Sequence, residues 1–354
     1  MKYDFLILGF GEINKVWTNP QWTAYTLAKK GFKVAYINPP AYRKIRFNDI
    51  NRIISRFSSN KIQRNHTNFD IFSSYASMNL PFKLFNTFEK KRLNKLIQNS
   101  KNIICCQSLW LKFANLSNEN TTFLICDDYS ALKNSSKEQS NYDIKVNNFN
   151  KVAVTNKNLI KKYPKAIFSP NCISYYHFND NLKTIKKQKI ENQVCFVGAL
   201  HSEKIDMNKI IKLIKCNPNY NFIFAGKLFG FNNSDLPSLP NFQYVGELPF
   251  NKAIKLMKES KFGLIPFVNN SYTNHVFSMK YFEYIASYTY PVCSKIPMYD
   301  SLNSNLIPKT FLDDETNINS FKSSDLEFMR KIVLKKYTYN ARIKDMIERK
   351  YLIN

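Results

Sequence analysis

Glycine is scarce in this sequence, with eight residues among 354. The phosphate-cradling loops of the commonest nucleotide enzymes are absent. There is no P-loop, no G-x-S-x-G elbow and no H-E-x-x-H helix, which removes the usual kinase, hydrolase and zinc-protease chemistries. Gly9 and Gly11 follow the first apolar run, in LGFGEIN, without the third glycine of a dinucleotide fingerprint. A tight turn facing a ligand cleft is the expected meaning of that pair. Histidine is scarcer still: His66, His177, His201 and His275 have neither triad nor metal-ligand spacing, so no metal is expected.

Paired cysteine spacing is also missing. The seven cysteines form no C-x-x-C and fall mostly in apolar runs such as NIICCQ and QVCFVG, where a thiol behaves as a small buried hydrophobe. The inference is a reducing cytoplasm. No apolar run approaches the roughly eighteen residues of a membrane helix. FLILGFG, at 5–11, lacks the basic flank and cleavage site of a leader, so neither a span nor a leader is expected.

Acidic residues are few: 26 against 52 Lys and Arg, leaving +26. Such an excess points to an anionic partner: nucleic acid, an acidic membrane surface or a phosphorylated substrate. Part of it is compositional, since Lys and Asn recur throughout. No RNA-binding signature, zinc-finger spacing or Arg-rich helix supports nucleic acid. The 44% hydrophobic and 15% aromatic content fits a folded chain long enough for two domains.

The order of elements begins strand, helix, strand. YDFLILG is an apolar run ending in glycine, WTAYTLAKKG has helical spacing and stops at Gly31, and FKVAYINPP is a strand closed by two prolines. This β-α-β unit implies a parallel sheet. NIICCQS, TTFLICDD, KVAVTN and KAIFSPN continue it as buried-strand candidates. Residues 1–178 therefore read as one doubly wound α/β domain. The polar stretch 179–193 reads as a linker, and 194–325 as a second α/β series (QVCFVGAL, NFIFAGK, NFQYVGEL, FGLIPF, PVCSK). Residues 326–354 read as one or two helices, expected to pack back on the first domain. Two Rossmann-like doubly wound domains facing a central cleft are the expected architecture, with ligands beyond the carboxyl ends of the strands.

Candidate site residues stand at those ends. Asp127 and Asp128 close TTFLICDD. One could serve as a general base, or both could cap a following helix or turn. Adjacent strand residues point to opposite sides, so one of them is expected to face the cleft. His201 follows Gly198 just past QVCFVGAL, at a cleft position or in an exposed loop. In SMKYFEYIASYTYPV, at 278–292, Lys280 and Glu283 lie one turn apart at the start of an otherwise apolar helix. On a solvated face such a pair is worth only about 0.2–0.5 kcal/mol. At a helix start facing a cleft, the ammonium and free N–H groups suit a diphosphate and the carboxylate suits ribose hydroxyls. The apolar neighbours Met279, Phe282, Ile285 and Ala286 favour the second reading.

With these residues in order, the chain resembles GT-B glycosyltransferases of bacterial cell-surface polysaccharide synthesis. The nearest likenesses are teichuronic-acid-type transferases and xanthan-type glucuronosyltransferases. QWTAYTLAKKGFKVAYINPP, TTFLICDDYSAL, SPNCISYYHF, FVGAL, NFIFAGK, NFQYVGELPFNKAIKLMKESKFGLIPF and MKYFEY match in sequence order. The resemblance implies a nucleotide-sugar donor, expected to be a UDP-sugar, with no tightly bound cofactor. It implies that Lys280 contacts the diphosphate and Glu283 the ribose, with Ser278 and Met279 at the helix start and Gly198 and His201 on the donor side. Tyr244, Gly246 and Glu247 would lie near the base. Gly9 and Gly11 would form the acceptor-side loop, and Asp127 or Asp128 would be an inverting enzyme's base. Retaining relatives carry a second Glu where this chain has His275, which favours inversion. SYTYPV replaces the usual glycine after the donor helix, so that C-cap must be built differently.

A transferase of this kind would take a lipid-linked glycan acceptor in capsule, lipopolysaccharide or exopolysaccharide synthesis. Residues 42–57 and 82–97 mix Arg and Lys with Phe, Ile and Leu. They are expected to give peripheral association with the anionic inner face of the plasma membrane; ordinary surface helices share that composition. Two other classes stay open. An epimerase-like nucleotide-sugar enzyme would turn over donor without acceptor. A non-catalytic basic protein would bind oligonucleotide without donor preference.

Overall fold

The computed structural model describes residues 2–13, 17–40, 63–66, 68–74, 83–128, 130, 137–322 and 325–353. The chain divides into two compact units. The first comprises Met1–Thr155, Leu159–Ser169 and Arg342–Asn354, and the second Asn156–Asn158 and Pro170–Ala341.

The first unit is built on an eight-stranded sheet. Its strands are β1 (Tyr3–Leu8), β2 (Val34–Ile37), β3 (Gln63–His66), β4 (Phe69–Phe72), β5 (Ser100–Cys105), β6 (Thr121–Ile125), β7 (Lys151–Val154) and β8 (Ile167–Phe168). They lie in the order β3-β4-β2-β1-β5-β6-β7-β8, all parallel except the β3–β4 pair. Helices α1 (Asn19–Lys29), α2 (Lys83–Gln98) and α3 (Lys137–Val146) make crossovers. Side chains of β1 alternate between two cores, Leu6 and Leu8 on one face and Phe5 and Ile7 on the other. A strand buried on both faces must be apolar at every position, which is why these strands read as unbroken apolar runs. The short β3 and β4 carry no such run and have no counterpart in the sequence reading.

The second unit holds an all-parallel five-stranded sheet, β13-β11-β9-β14-β15. These are β9 (Ile190–Val197), β11 (Asn221–Ala225), β13 (Phe242–Tyr244), β14 (Ser260–Ile265) and β15 (Tyr290–Cys293). Two short extensions, β10 (Leu200–His201) and β12 (Leu228–Phe229), pair with each other beyond it. The helices are α4 (Tyr175–Phe178), α5 (Leu182–Lys187), α6 (Met207–Cys216), α7 (Phe250–Glu259), α8 (Met279–Ala286) and α9 (Leu326–Lys336), while α10 (Tyr339–Glu348) starts in this unit and belongs to the first from Arg342. Residues 179–193, read from sequence as a linker, thus hold α5 and the first residues of β9. From Arg342 onward the chain belongs to the first unit, where Ile343, Met346 and Leu352 enter the core beside Phe5 and Ile7.

Among parallel neighbours, strand order reverses at β1/β5 in the first sheet and at β9/β14 in the second. Ligands of open α/β sheets bind beyond the carboxyl ends at such switch points.

Candidate functional site

In the second unit, α8 is anchored at the switch point by Tyr284. Its buried hydroxyl accepts from Val197 N–H at 3.1 Å and donates to the Leu264 carbonyl at 3.3 Å, joining the ends of β9 and β14. Ser278 is the N-cap, in extended backbone, and makes no side-chain cap hydrogen bond. The first-turn N–H groups therefore keep the partial positive charge of a helix start.

Lys280 and Glu283 are joined by an ion pair one turn into α8. They differ in exposure: the Lys280 side chain is 33% exposed and that of Glu283 only 6%. This is no solvated surface pair. The carboxylate is inside and the ammonium reaches out, an arrangement that can meet an anion from solvent while the buried carboxylate keeps its partner.

Beside α8, three strand ends carry glycine at one level: Gly198 after β9, Gly226 after β11 and Gly246 after β13. Gly198 N–H donates to Ala225 O at 2.9 Å, and Gly226 N–H to Gly246 O at 2.8 Å. The Tyr244 hydroxyl closes the row by donating to Gly226 O at 2.7 Å. Gly226 has φ +148°, and a Cβ there would stand 1.7 Å from the Gly198 carbonyl oxygen, so no other residue fits. Gly226 escaped the sequence reading, although FVG, FAG and YVG repeat after three successive strands. His201, in β10, stacks on Phe229 of β12 with ring centroids 5.9 Å apart. Glu247 is exposed, and Met279 Sδ accepts a long contact from Tyr339 Oη at 3.9 Å.

In the first unit, Gly9 and Gly11 follow β1 at its switch point. Trp110 Nε1 donates to Gly9 O at 2.9 Å and Tyr36 Oη to Gly11 O at 2.6 Å, so side chains from two other segments hold the turn. Asp127 and Asp128, both half-buried, follow β6. Asp128 Oδ1 accepts from Ser130 N at 3.1 Å, Ser130 Oγ at 2.6 Å and Lys162 Nζ at 2.7 Å. Lys162 also reaches Asp143, 2.7 Å away. None of Ser108, Gln139, Asp143 or Lys162, which make up this cluster, was singled out from sequence. β5 lies between β1 and β6, so the glycine turn and the Asp pair stand on separate strands of one sheet.

Among the described residues no group of three or more His, Cys, Asp or Glu could hold a metal ion, and no helix is long and apolar enough to cross a membrane. The stretch 42–57 and the side chain of His66 lie outside what is described. The stretch 82–97 is largely α2, where Phe88 is 64% exposed among lysines.

No family model and no curated protein matches this sequence. Solved structures do. Anabaena HepE, in complex with UDP and glucose, superposes with a TM-score of 0.67 at 10% identity, covering 98% of this chain and 99% of that one. Sucrose-phosphate synthase from Thermosynechococcus elongatus gives 0.65 at 11% identity, over 98% and 97%. The α,α-trehalose 6-phosphate synthase of Burkholderia multivorans gives 0.60 at 7% identity, over 98% of each. Two Rossmann-like units with parallel sheets, shared over nearly the whole chain with these transferase structures, give this protein the GT-B fold.

Proposed function

We propose that the protein is a glycosyltransferase that uses a nucleotide sugar, most simply a UDP-sugar. One observation carries the reading: a half-exposed lysine and a buried glutamate, paired on the first turns of a helix anchored at the switch point of the second sheet. Lys280 and the α8 N–H groups suit the donor diphosphate, and Glu283 suits the ribose hydroxyls. The row of Gly198, Gly226 and Gly246 lets backbone approach the donor, with Tyr244 and Glu247 on the side of the base. UDP in the HepE complex supports UDP as the nucleotide.

The first unit would then supply the base. A carboxylate at the end of β6 takes the proton of an acceptor hydroxyl as that oxygen bonds to the anomeric carbon. The nucleoside diphosphate leaves with the electron pair of the broken C–O bond. His275, where a retaining relative has Glu, holds its ring through Nδ1 to the Ser271 carbonyl at 2.9 Å and carries no negative charge. That supports inversion. A lipid-linked glycan acceptor at the anionic inner leaflet, in capsule, lipopolysaccharide or exopolysaccharide synthesis, accords with the +26 charge and with exposed Phe88 on basic α2.

The test is a thermal-shift screen with UDP, GDP, CMP and their sugars, beside Lys280→Ala and the charge-free pair Lys280→Met/Glu283→Gln. UDP should raise the melting temperature of the natural protein and of neither variant. The double variant should be the more stable of the two, because Lys280→Ala alone strands a buried carboxylate. No response to any nucleotide from folded protein would refute the donor site.

A further inference from the structure

We infer that Lys162 and Asp143 are positioning residues that set the direction of the carboxylate at the end of β6, an inference that rests on the transferase reading above. Lys162 Nζ makes three short contacts, to Asp128 Oδ1 at 2.7 Å, Asp143 Oδ2 at 2.7 Å and Ser130 Oγ at 2.6 Å. An ammonium has three protons, and each has its acceptor here. The other oxygen of Asp143 accepts from Ser108 Oγ at 2.5 Å and from Gln139 Nε2 at 2.7 Å, while Gln139 Nε2 also reaches Ser108 Oγ at 2.7 Å. Ser130 donates to Asp128 and accepts from Lys162; Ser108 donates to Asp143 and accepts from Gln139. Every donor in the cluster points at an acceptor, so the network has one consistent direction.

Its members come from four places: the turn after β5 (Ser108), the turn after β6 (Asp128 and Ser130), helix α3 (Gln139 and Asp143) and the segment after β7 (Lys162). Ser108, Gln139 and Asp143 are all buried. Apolar packing would join four segments without the desolvation cost of two carboxylates and an ammonium. The ionic cluster adds direction. Short charge-assisted bonds fix the Asp128 carboxylate. Asp127 and Asp128 both lie in the segment beyond the end of β6 at Ile125, so tying Asp128 to Lys162 also restrains the backbone from which Asp127 projects. On this reading Asp127 is the base, and Asp128 is the handle by which Lys162 holds it.

The experiment uses the full chain carrying Lys162→Met, Lys162→Arg or Asp143→Asn. Two readouts are taken: amide exchange over residues 126–130, and UDP release from whichever UDP-sugar of a panel the natural protein consumes fastest. Lys162→Met should speed exchange in that segment and lower kcat by about a hundredfold, the scale of a misplaced catalytic group, with KM for the UDP-sugar unchanged. Lys162→Arg, which can also bridge two carboxylates, should recover most of kcat. If Lys162→Met fails to fold, Asp143→Asn, nearly identical in shape, should show the same split. Unchanged kcat, a parallel change in KM, or no recovery with Arg would overturn the positioning role. If the natural protein consumes no UDP-sugar, the transferase reading falls, and faster exchange in Lys162→Met would leave the cluster as a structural tie alone.

Discussion

The ring of Tyr284 packs directly on the backbone of Gly263. A Cβ at residue 263 would stand 2.6 Å from the ring, closer than any side chain tolerates. The contact places the buried hydroxyl between Val197 and Leu264, and thereby places the helix turn that carries Lys280 and Glu283. Gly263→Ala should push the ring out and cost about 1–3 kcal/mol, read as a lower urea midpoint, and should weaken UDP binding. Tyr284→Phe keeps the ring and loses only the hydroxyl bonds, about 1 kcal/mol. Equal losses in the two variants would show that the hydroxyl, and not the ring contact, sets the helix.

Asp127 and Asp128 should separate by kinetics. Asp127→Asn removes the proposed base and should lower turnover by about a hundred- to ten-thousandfold while UDP still raises the melting temperature. Asp128→Asn keeps the shape of the handle and loses its charge, so its loss should be smaller. The reverse order would make Asp128 the base.

Tyr288 follows α8 with φ +57°, the left-handed conformation that helix C-caps usually give to glycine. Its N–H donates to Ile285 O at 3.0 Å, and Thr289 N–H to Tyr284 O at 2.9 Å. The C-cap without glycine is therefore closed by a strained tyrosine. Lys186 Nζ, 5.0 Å from its ring centroid, offsets part of the strain. Tyr288→Gly should stabilise the fold by up to about 1 kcal/mol, measured by chemical denaturation. A destabilised variant would mean the ring contact outweighs the backbone strain.

Lys189 sets a pH dependence. Burial pushes its ammonium down to about 7, although Nζ donates to Ser260 O and Thr289 Oγ1, both at 2.8 Å. An unfolded lysine holds its proton to about pH 10. Between these values the unfolded chain binds more protons than the folded one, so this residue makes stability rise with pH from about 7 to 10. Below about 7 both states are charged, and the native state carries the full desolvation cost. Urea midpoints of Lys189→Met against the natural protein, taken at pH 6.5 and 9, should show a flatter dependence in the variant. Parallel curves would show that the hydrogen bonds keep Lys189 charged.

How much of the site was legible follows from what each feature depends on. Lys280 and Glu283 stood out because one helical turn brings i and i+3 together whatever the rest of the chain does. The cluster of Ser108, Gln139, Asp143 and Lys162 could not be read, because its residues meet only where separate crossovers end. Strands β3 (QRNH) and β4 (FDIF) were missed because neither is an unbroken apolar run, and β10 and β12 because two residues beyond a glycine give no pattern of their own.

The sequence by itself determined the α/β class and its β-α-β order. Strands buried on both faces must be apolar at every position, and that signal is local. It also located the helix bearing Lys280 and Glu283. Only the tertiary structure decided which glycines stand side by side, that Glu283 is buried while Lys280 reaches solvent, and that Asp128 is held by Lys162. It also decided that only the part from Arg342 onward, and not the whole of 326–354, belongs to the first unit. Those outcomes depend on which strand ends are neighbours, and strand order follows from packing among segments far apart in sequence.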